Sequence, residues 1–299
     1  MKIGRTAVVT DIGRRRIGNE DAYVFRPPFF AIADGMGGAR AGEIAAGLAA
    51  TVLEQGAAPH GADGIVALIE EANRRIWERS VQDPDTAGMG TTVTAALVDP
   101  EDGRMIIGHV GDSRAYLYRS ATLEQLTTDH SLVVELVESG ILTPEEAERH
   151  PQRSAITRAV GTEPTVEIDA FSVDAKPGDL YLLCSDGLTD MLTAEEVEEV
   201  IAKADADPAK AAKALVAAAN ERGGEDNITV LLFEMVETDA VVQEPEPGAL
   251  DGAAPNATAS DAESLTHHGA GPGGRIAALV LLAAIVAGAI LLLYWGIKR

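Results

Sequence analysis

Residues 29–38 read Phe-Phe-Ala-Ile-Ala-Asp-Gly-Met-Gly-Gly. An apolar run of strand length ends in a carboxylate, Asp34, which opens a glycine-rich turn. The strand fixes the backbone, and the glycines let the chain fold back so that the acid or a neighbouring carbonyl points into a cleft. A single Asp-Gly after a strand is usually an ordinary turn. Here the arrangement recurs. Asp112 follows Met105–Val110 and opens Gly111-Asp-Ser-Arg114, and Asp186 follows Leu180–Cys184 in Cys184-Ser-Asp-Gly187. Asp226 stands in Gly224-Glu-Asp-Asn227 just ahead of Ile228–Phe233, and Asn19-Glu20-Asp21 follows the first strand across a short basic loop. Five such ends, converging, make an all-oxygen site for hard cations. With no His in these motifs, and with their single cysteine, Cys184, read as a strand residue, Mg2+ or Mn2+ is favoured over zinc.

Working outward, further strand-length runs are Ala7–Thr10, Thr92–Val98 and Ala115–Tyr118. Helical patterns cover Glu43–Gln55, Ile65–Arg79, Ala194–Lys203 and Pro208–Arg222. In the second of these, Ile65, Leu68, Ile69, Ala72 and Ile76 line one face at a 3.6-residue period. A shorter pair, Ser131–Ser139 and Pro144–Arg149, is clearly punctuated. Gly140 closes the first, while Thr143, Pro144 and Glu146 give the second a capping box. Strands come in adjacent pairs rather than alternating with helices, which predicts an α+β fold of antiparallel sheets with helices outside them.

The chain of 299 residues carries a net charge of −23, a field that repels nucleic acid and anionic surfaces, so no nucleic-acid partner is expected. One cysteine, Cys184, excludes an internal disulfide framework and reads as a buried strand residue. Composition divides the chain into a globular domain at 1–236, a flexible acidic Pro/Gly/Ala linker at 237–275, and an uncharged apolar segment at 276–297. At about 1.5 Å per residue that last segment reaches about 33 Å, enough for a hydrocarbon core of ~30 Å, so a single transmembrane helix is expected. Tyr294 and Trp295 lie at its end, followed by Lys298 and Arg299. Counting basic residues alone would put the C-terminus in the cytoplasm. No apolar signal core precedes Asp11, however, so the expectation is a single-pass protein of the cell membrane with its globular domain cytoplasmic.

Two ions a few ångströms apart can share a hydroxide and aim it at phosphorus. Phosphoryl chemistry also needs a fixed cation on the non-bridging oxygens, for which Arg14, Arg15 and Arg16 are candidates. At this point six motifs stand in order: Arg16-Ile-Gly-Asn-Glu-Asp21, Ala33-Asp-Gly-Met-Gly-Gly38, Gly90-Thr-Thr92, Gly111-Asp-Ser-Arg114, Ser185-Asp-Gly187 and Glu225-Asp-Asn227. Over residues 1–236 the chain thereby resembles the bacterial metal-dependent protein serine/threonine phosphatases of type 2C.

That resemblance implies a four-layer αββα sandwich with a two-ion Mn2+ or Mg2+ centre at one end. It implies Asp34 as the carboxylate bridging both ions, Gly35 as a carbonyl ligand, and Asp186 and Asp226 on the other ion. Glu20 and Asp21 would support the ligands or hold water, Arg16 would bind substrate phosphate, and Asp112 with Asp186 would form a third, weaker site, with Asp190 as an addition. The pair at 131–149 would be a flap beside the site. Some eukaryotic members have a histidine after Asp-Gly where this chain has Met36, so the proton donor is open between water on the ions and a flap histidine, His130 or His150. The expected activity is hydrolysis of phosphoserine and phosphothreonine in proteins by a metal-bound hydroxide, opposing a Ser/Thr protein kinase at the membrane. The competing reading is a weakly active or inactive metal-binding module that recognises phosphoproteins.

Overall fold

The computed structural model describes residues 1–37, 41–56, 59–99 and 103–237. The expected apolar span at 276–297, and the expected linker beyond Glu237, lie outside the described residues. Among the described residues no helix is long and apolar enough to cross a membrane.

In chain order the strands are β1 (Lys2–Asp11), β2 (Asp21–Arg26), β3 (Phe29–Met36), β4 (Gly90–Thr91), β5 (Val93–Val98) and β6 (Met105–Val110). They continue with β7 (Arg114–Arg119), β8 (Thr122–Gln125), β9 (Asp169–Val173), β10 (Leu180–Cys184) and β11 (Ile228–Val236). The helices are α1 (Ala41–Gln55), α2 (Gly61–Gln82), α3 (Leu132–Glu138), α4 (Pro144–Glu148), α5 (Asp186–Thr189), α6 (Ala194–Lys203) and α7 (Pro208–Glu221). One sheet runs β1-β11-β10-β7-β8 and the other β2-β3-β5-β6-β9, with β4 added on β3. Every pairing is antiparallel.

Side chains alternating along each central strand sort into different cores. On β11, Leu231, Phe233 and Met235 face the other sheet, while Val230 and Leu232 face α6 and α7. On β3, Phe30 and Ile32 face between the sheets, while Phe29, Ala31 and Ala33 pack on α1 and α2. Both faces of each central strand are therefore covered, and the strands read as continuous apolar runs for that reason. The result is four layers with three apolar interfaces. At the centre, Phe30 stacks on Phe233 at 4.4 Å and Tyr181 on Phe233 at 5.4 Å.

The antiparallel sandwich and all six helical segments read from sequence are present. The expected capping box at Thr143 and Glu146 forms, and Gly140 takes the left-handed conformation (φ 71°) after α3. The run expected at Thr92–Val98 breaks at Thr92, whose side chain turns to other work described below. The two-residue β4 and strands β2, β8 and β9 were not expected from sequence. Strand β2 is short and ends in charges, and β8 and β9 are sheet edges with half-exposed faces.

Gly108 in β6 sets how closely α2 lies on its sheet: a Cβ there would stand 2.2 Å from Ile65 Cγ2 and 3.1 Å from Ile69 Cδ1. Both isoleucines are fully buried, so neither can yield cheaply. Gly108→Ala should destabilise the domain by about 1–3 kcal/mol, read as a lower urea midpoint with an unchanged slope.

Candidate active site

In an antiparallel pair the end of one strand lies beside the start of the next. That rule gathers the acids. The register sets Asp21 opposite Asp34, Val93 opposite Val110, Cys184 opposite both Val230 and Arg114, and Asp11 opposite Ile228. The motif acids flanking these ends, Glu20, Asp21, Asp34, Asp112, Asp186 and Asp226, thus meet at one edge of the sandwich. Arg16 joins them: its guanidinium lies 2.6 Å from Asp226 Oδ2 and 3.7 Å from Glu20 Oε2.

Asp21, Asp34 and Asp226 are held by backbone or hydroxyl groups. Asp21 Oδ2 accepts from Ser185 Oγ at 2.8 Å and Thr229 Oγ1 at 2.6 Å. The Asp34 backbone is pinned on both sides, its N–H to Thr92 Oγ1 at 3.0 Å and its carbonyl by Thr91 Oγ1 at 2.8 Å. Thr92 in turn meets Ser113 Oγ at 2.6 Å. Asp226 Oδ1 accepts the Asn227 N–H at 2.7 Å. Gly35 is buried where α1 begins: a Cβ on it would lie 2.1 Å from the Gly42 carbonyl oxygen, so the close approach of α1 requires glycine there.

Three carboxylate oxygens in this cluster, Asp21 Oδ1, Asp112 Oδ1 and Asp186 Oδ1, are buried and have no hydrogen-bond partner. Burial pushes the Asp21 carboxyl up to about 6. It pushes Asp112 up to about 7, with repulsion from Asp129 adding to it. Asp34 and Asp186 are raised well above the carboxylate range by burial and by the neighbouring acids, and they lie within hydrogen-bonding reach of each other. Unpartnered buried oxygens on mutually repelling acids are what a divalent cation neutralises, and the all-oxygen donor set suits Mg2+ or Mn2+. Among the described residues, no three His, Cys, Asp or Glu side chains form a ready-made ligand shell, so an ion would have to draw the carboxylates inward.

The helix pair α3 and α4 stands across a cavity of about 730 Å³ from α5 and α6. Val133, Val137, Met191 and Leu192 line it, and Arg153 and Asp190 face one another at 3.8 Å on its wall. Of the two histidines expected as proton donors, His130 has both ring nitrogens engaged. Nδ1 accepts the Gly111 N–H at 3.0 Å and Nε2 faces Asp169 Oδ2 at 3.3 Å. These contacts anchor the segment that leads into α3. His150 Nδ1 accepts the Gln152 N–H at 3.2 Å, a local loop contact. Cys184 is fully buried, and burial pushes its thiol up to about 12.

Sequence reading missed the residues that hold the acids. Thr91, Thr92, Ser113, Ser185 and Asn227 stand inside a motif and Thr229 three residues after Asp226, which is the one signal that could have found them.

A model of the family described as protein phosphatase 2C matches residues 20–136 and 147–228. The serine/threonine phosphatase stp of Listeria monocytogenes is 41% identical over 238 residues, covering 75% of this chain and 93% of that protein. The crystal structure of the Mycobacterium tuberculosis serine/threonine phosphatase PstP/Ppp superposes with a TM-score of 0.73 at 38% identity, over 79% of this chain and 100% of the other. A structure of the PstP catalytic domain in complex with two manganese ions superposes at 0.70 and 36% identity, over 79% of this chain and 99% of the other.

Because the folded pKa values of Asp21 and Asp112 lie above the ordinary carboxylate value, their charged forms oppose folding. That cost is present in full above about pH 7 and falls away as protons bind. His109, buried and held down to about 4, opposes folding when it must charge, but only below its ordinary 6.5. The EDTA-treated protein should therefore melt a few degrees higher at pH 6.5 than at pH 8. Saturating Mn2+ should abolish that gradient in calorimetry.

Proposed function

The chain belongs to the protein phosphatase 2C family and is a serine/threonine protein phosphatase, and we propose that it uses two Mn2+ or Mg2+ ions to hydrolyse phosphoserine and phosphothreonine in proteins. The observation that carries the metal dependence is the trio of buried, unpartnered carboxylate oxygens on Asp21, Asp112 and Asp186. Asp34, the Gly35 carbonyl, Asp186 and Asp226 would hold the pair, and Asp112 with Asp186 would hold a third. When bound, such ions lower the pKa of water and neutralise phosphate charge.

The protein's own residues do the rest. Asp21, fixed by Ser185 and Thr229, keeps an acceptor oxygen turned toward the cluster. Glu20 is half-buried beside Arg16, and burial raises its carboxyl. Arg16 is 45% exposed at its side chain, with one nitrogen on Asp226 and another 3.7 Å from Glu20, and its solvent-facing N–H groups would meet phosphate oxygens. Every motif acid of the cluster is retained, which favours an active enzyme over an inactive phosphoprotein-binding module. The opposing partner would be a Ser/Thr protein kinase, with the apolar segment 276–297 tethering a cytoplasmic domain to the membrane.

EDTA should abolish turnover of para-nitrophenyl phosphate and of phosphopeptides, and Mn2+ should restore it. Asp34→Asn should lower kcat by at least about a hundredfold with the circular dichroism spectrum unchanged. Turnover that survives chelation would sink the metal-dependent mechanism. Truncation after Glu237 should move the protein from the membrane fraction to the soluble fraction with its catalytic constants intact.

A further inference from the structure

The loop joining β1 to β2 carries three consecutive arginines, of which only Arg16 is paired, to Asp226 and Glu20. Arg14 and Arg15 are exposed and hold no carboxylate among the described residues. Elsewhere Arg5, Arg74, Arg114, Arg119, Arg158 and Arg222 pair with acids, whereas Arg26 turns to backbone carbonyls; what sets Arg14 and Arg15 apart is that they are adjacent and next to Arg16. In a chain with 47 acidic residues, two adjacent cations left unpaired at the rim of an acid cluster run against the composition.

The loop is also fixed. The Asn227 side-chain amide donates to the carbonyls of Ile12 at 3.0 Å and Gly18 at 2.9 Å, closing the loop at both ends. The Arg14 N–H donates to the Gly224 carbonyl at 2.7 Å. On this clamped loop Ile17 is 99% exposed, an aliphatic side chain presented to whatever approaches.

We propose that Arg14 and Arg15 form a subsite that reads negative charge close to the residue being dephosphorylated, so that the preferred substrates are acidic or multiply phosphorylated segments. This deepens the phosphatase reading above and rests on it. With the target phosphate at Arg16, an extended peptide advances about 3.3 Å per residue, so an anion two to four positions away lies roughly 7–13 Å off. Consecutive Cα atoms are about 3.8 Å apart, so the Cα atoms of Arg15 and Arg14 stand at most about 4 and 8 Å from that of Arg16, and their long side chains supply the rest of the reach. Guanidinium groups take carboxylate and phosphate alike, and Ile17 offers apolar contact to the peptide between them.

Steady-state kinetics in Mn2+ on one parent phosphothreonine peptide, with flanking positions neutral, glutamate, lysine or a second phosphothreonine, tests the subsite. The glutamate and doubly phosphorylated peptides should show kcat/KM roughly three- to tenfold above the neutral one, carried by KM, with the lysine peptide below it. The preference should shrink in about 0.5 M NaCl. Arg14→Ser with Arg15→Ser should bring all four peptides to a common value while leaving turnover of para-nitrophenyl phosphate unchanged. A response to the second phosphate alone, or to glutamate alone, supports the subsite and identifies its anion. Equal values across the series in the unaltered protein, or a preference that survives the double substitution, overturns the subsite and leaves the phosphatase reading standing. Absence of para-nitrophenyl phosphate turnover in Mn2+ overturns both.

Discussion

The structure depends on holding like charges side by side. Asp21 and Asp34 face each other across β2 and β3, a placement that is unfavourable for two carboxylates on any sheet. At ~5 Å in an effective dielectric of about 20, two full charges repel by ~3 kcal/mol, and Asp112, Asp186 and Asp226 add to the same cluster. A chain under no other constraint would turn these side chains to water. The sandwich prevents it, because each acid follows or precedes a strand whose register is set by apolar contacts on both faces.

The rigidity is bought elsewhere, in the three apolar interfaces. Strand β11 illustrates the division: its far end packs Leu231, Phe233 and Met235 between the sheets, while its near end presents Asp226, Asn227 and Thr229 to the cluster. The hydroxyls of Ser185 and Thr229, donating to Asp21, and of Thr92, accepting the Asp34 N–H, then fix the acids without neutralising them. Hydroxyls suit that role because each supplies one hydrogen bond and no charge, leaving the second carboxylate oxygen unpartnered for a cation.

How much of this was legible in the sequence follows from what each residue has to satisfy. Asp34 and Asp186 stood out because long apolar runs lead into them and glycine follows each. Antiparallel sheets with helices outside them were legible from strands that come in adjacent pairs, and the four-layer order came with the family resemblance. Strand β8, Thr-Leu-Glu-Gln, was not, since an exposed edge strand buries too little to impose a pattern. Thr92 was assigned to a strand because threonine favours extended backbone, yet here its hydroxyl serves Asp34 and Ser113 and the ladder breaks around it. Asn227 carried no periodic signal at all, although it joins Glu20, Ile12 and Gly18 in one set of hydrogen bonds. His130 had the chemistry of a proton donor, but the Gly111 N–H and Asp169 occupy both of its nitrogens, which only the tertiary structure reveals.

The same chain sets its overall charge against its local charge. A net −23 repels phosphorylated proteins at a distance. At physiological ionic strength, however, exposed charges are screened beyond about 8 Å, so the global field contributes little to an encounter and the nearest side chains decide it. Around the acid cluster those nearest side chains are the arginines of the β1–β2 loop. Arg16 is partly engaged by Asp226, so a phosphate that reaches it must share it with that carboxylate, and the cluster must be neutralised for the phosphate to come close at all. Cation binding by the acids and anion binding by the loop are therefore one electrostatic problem. They are coupled through Asp226 and through Asn227, which ties the loop to the strand beside it.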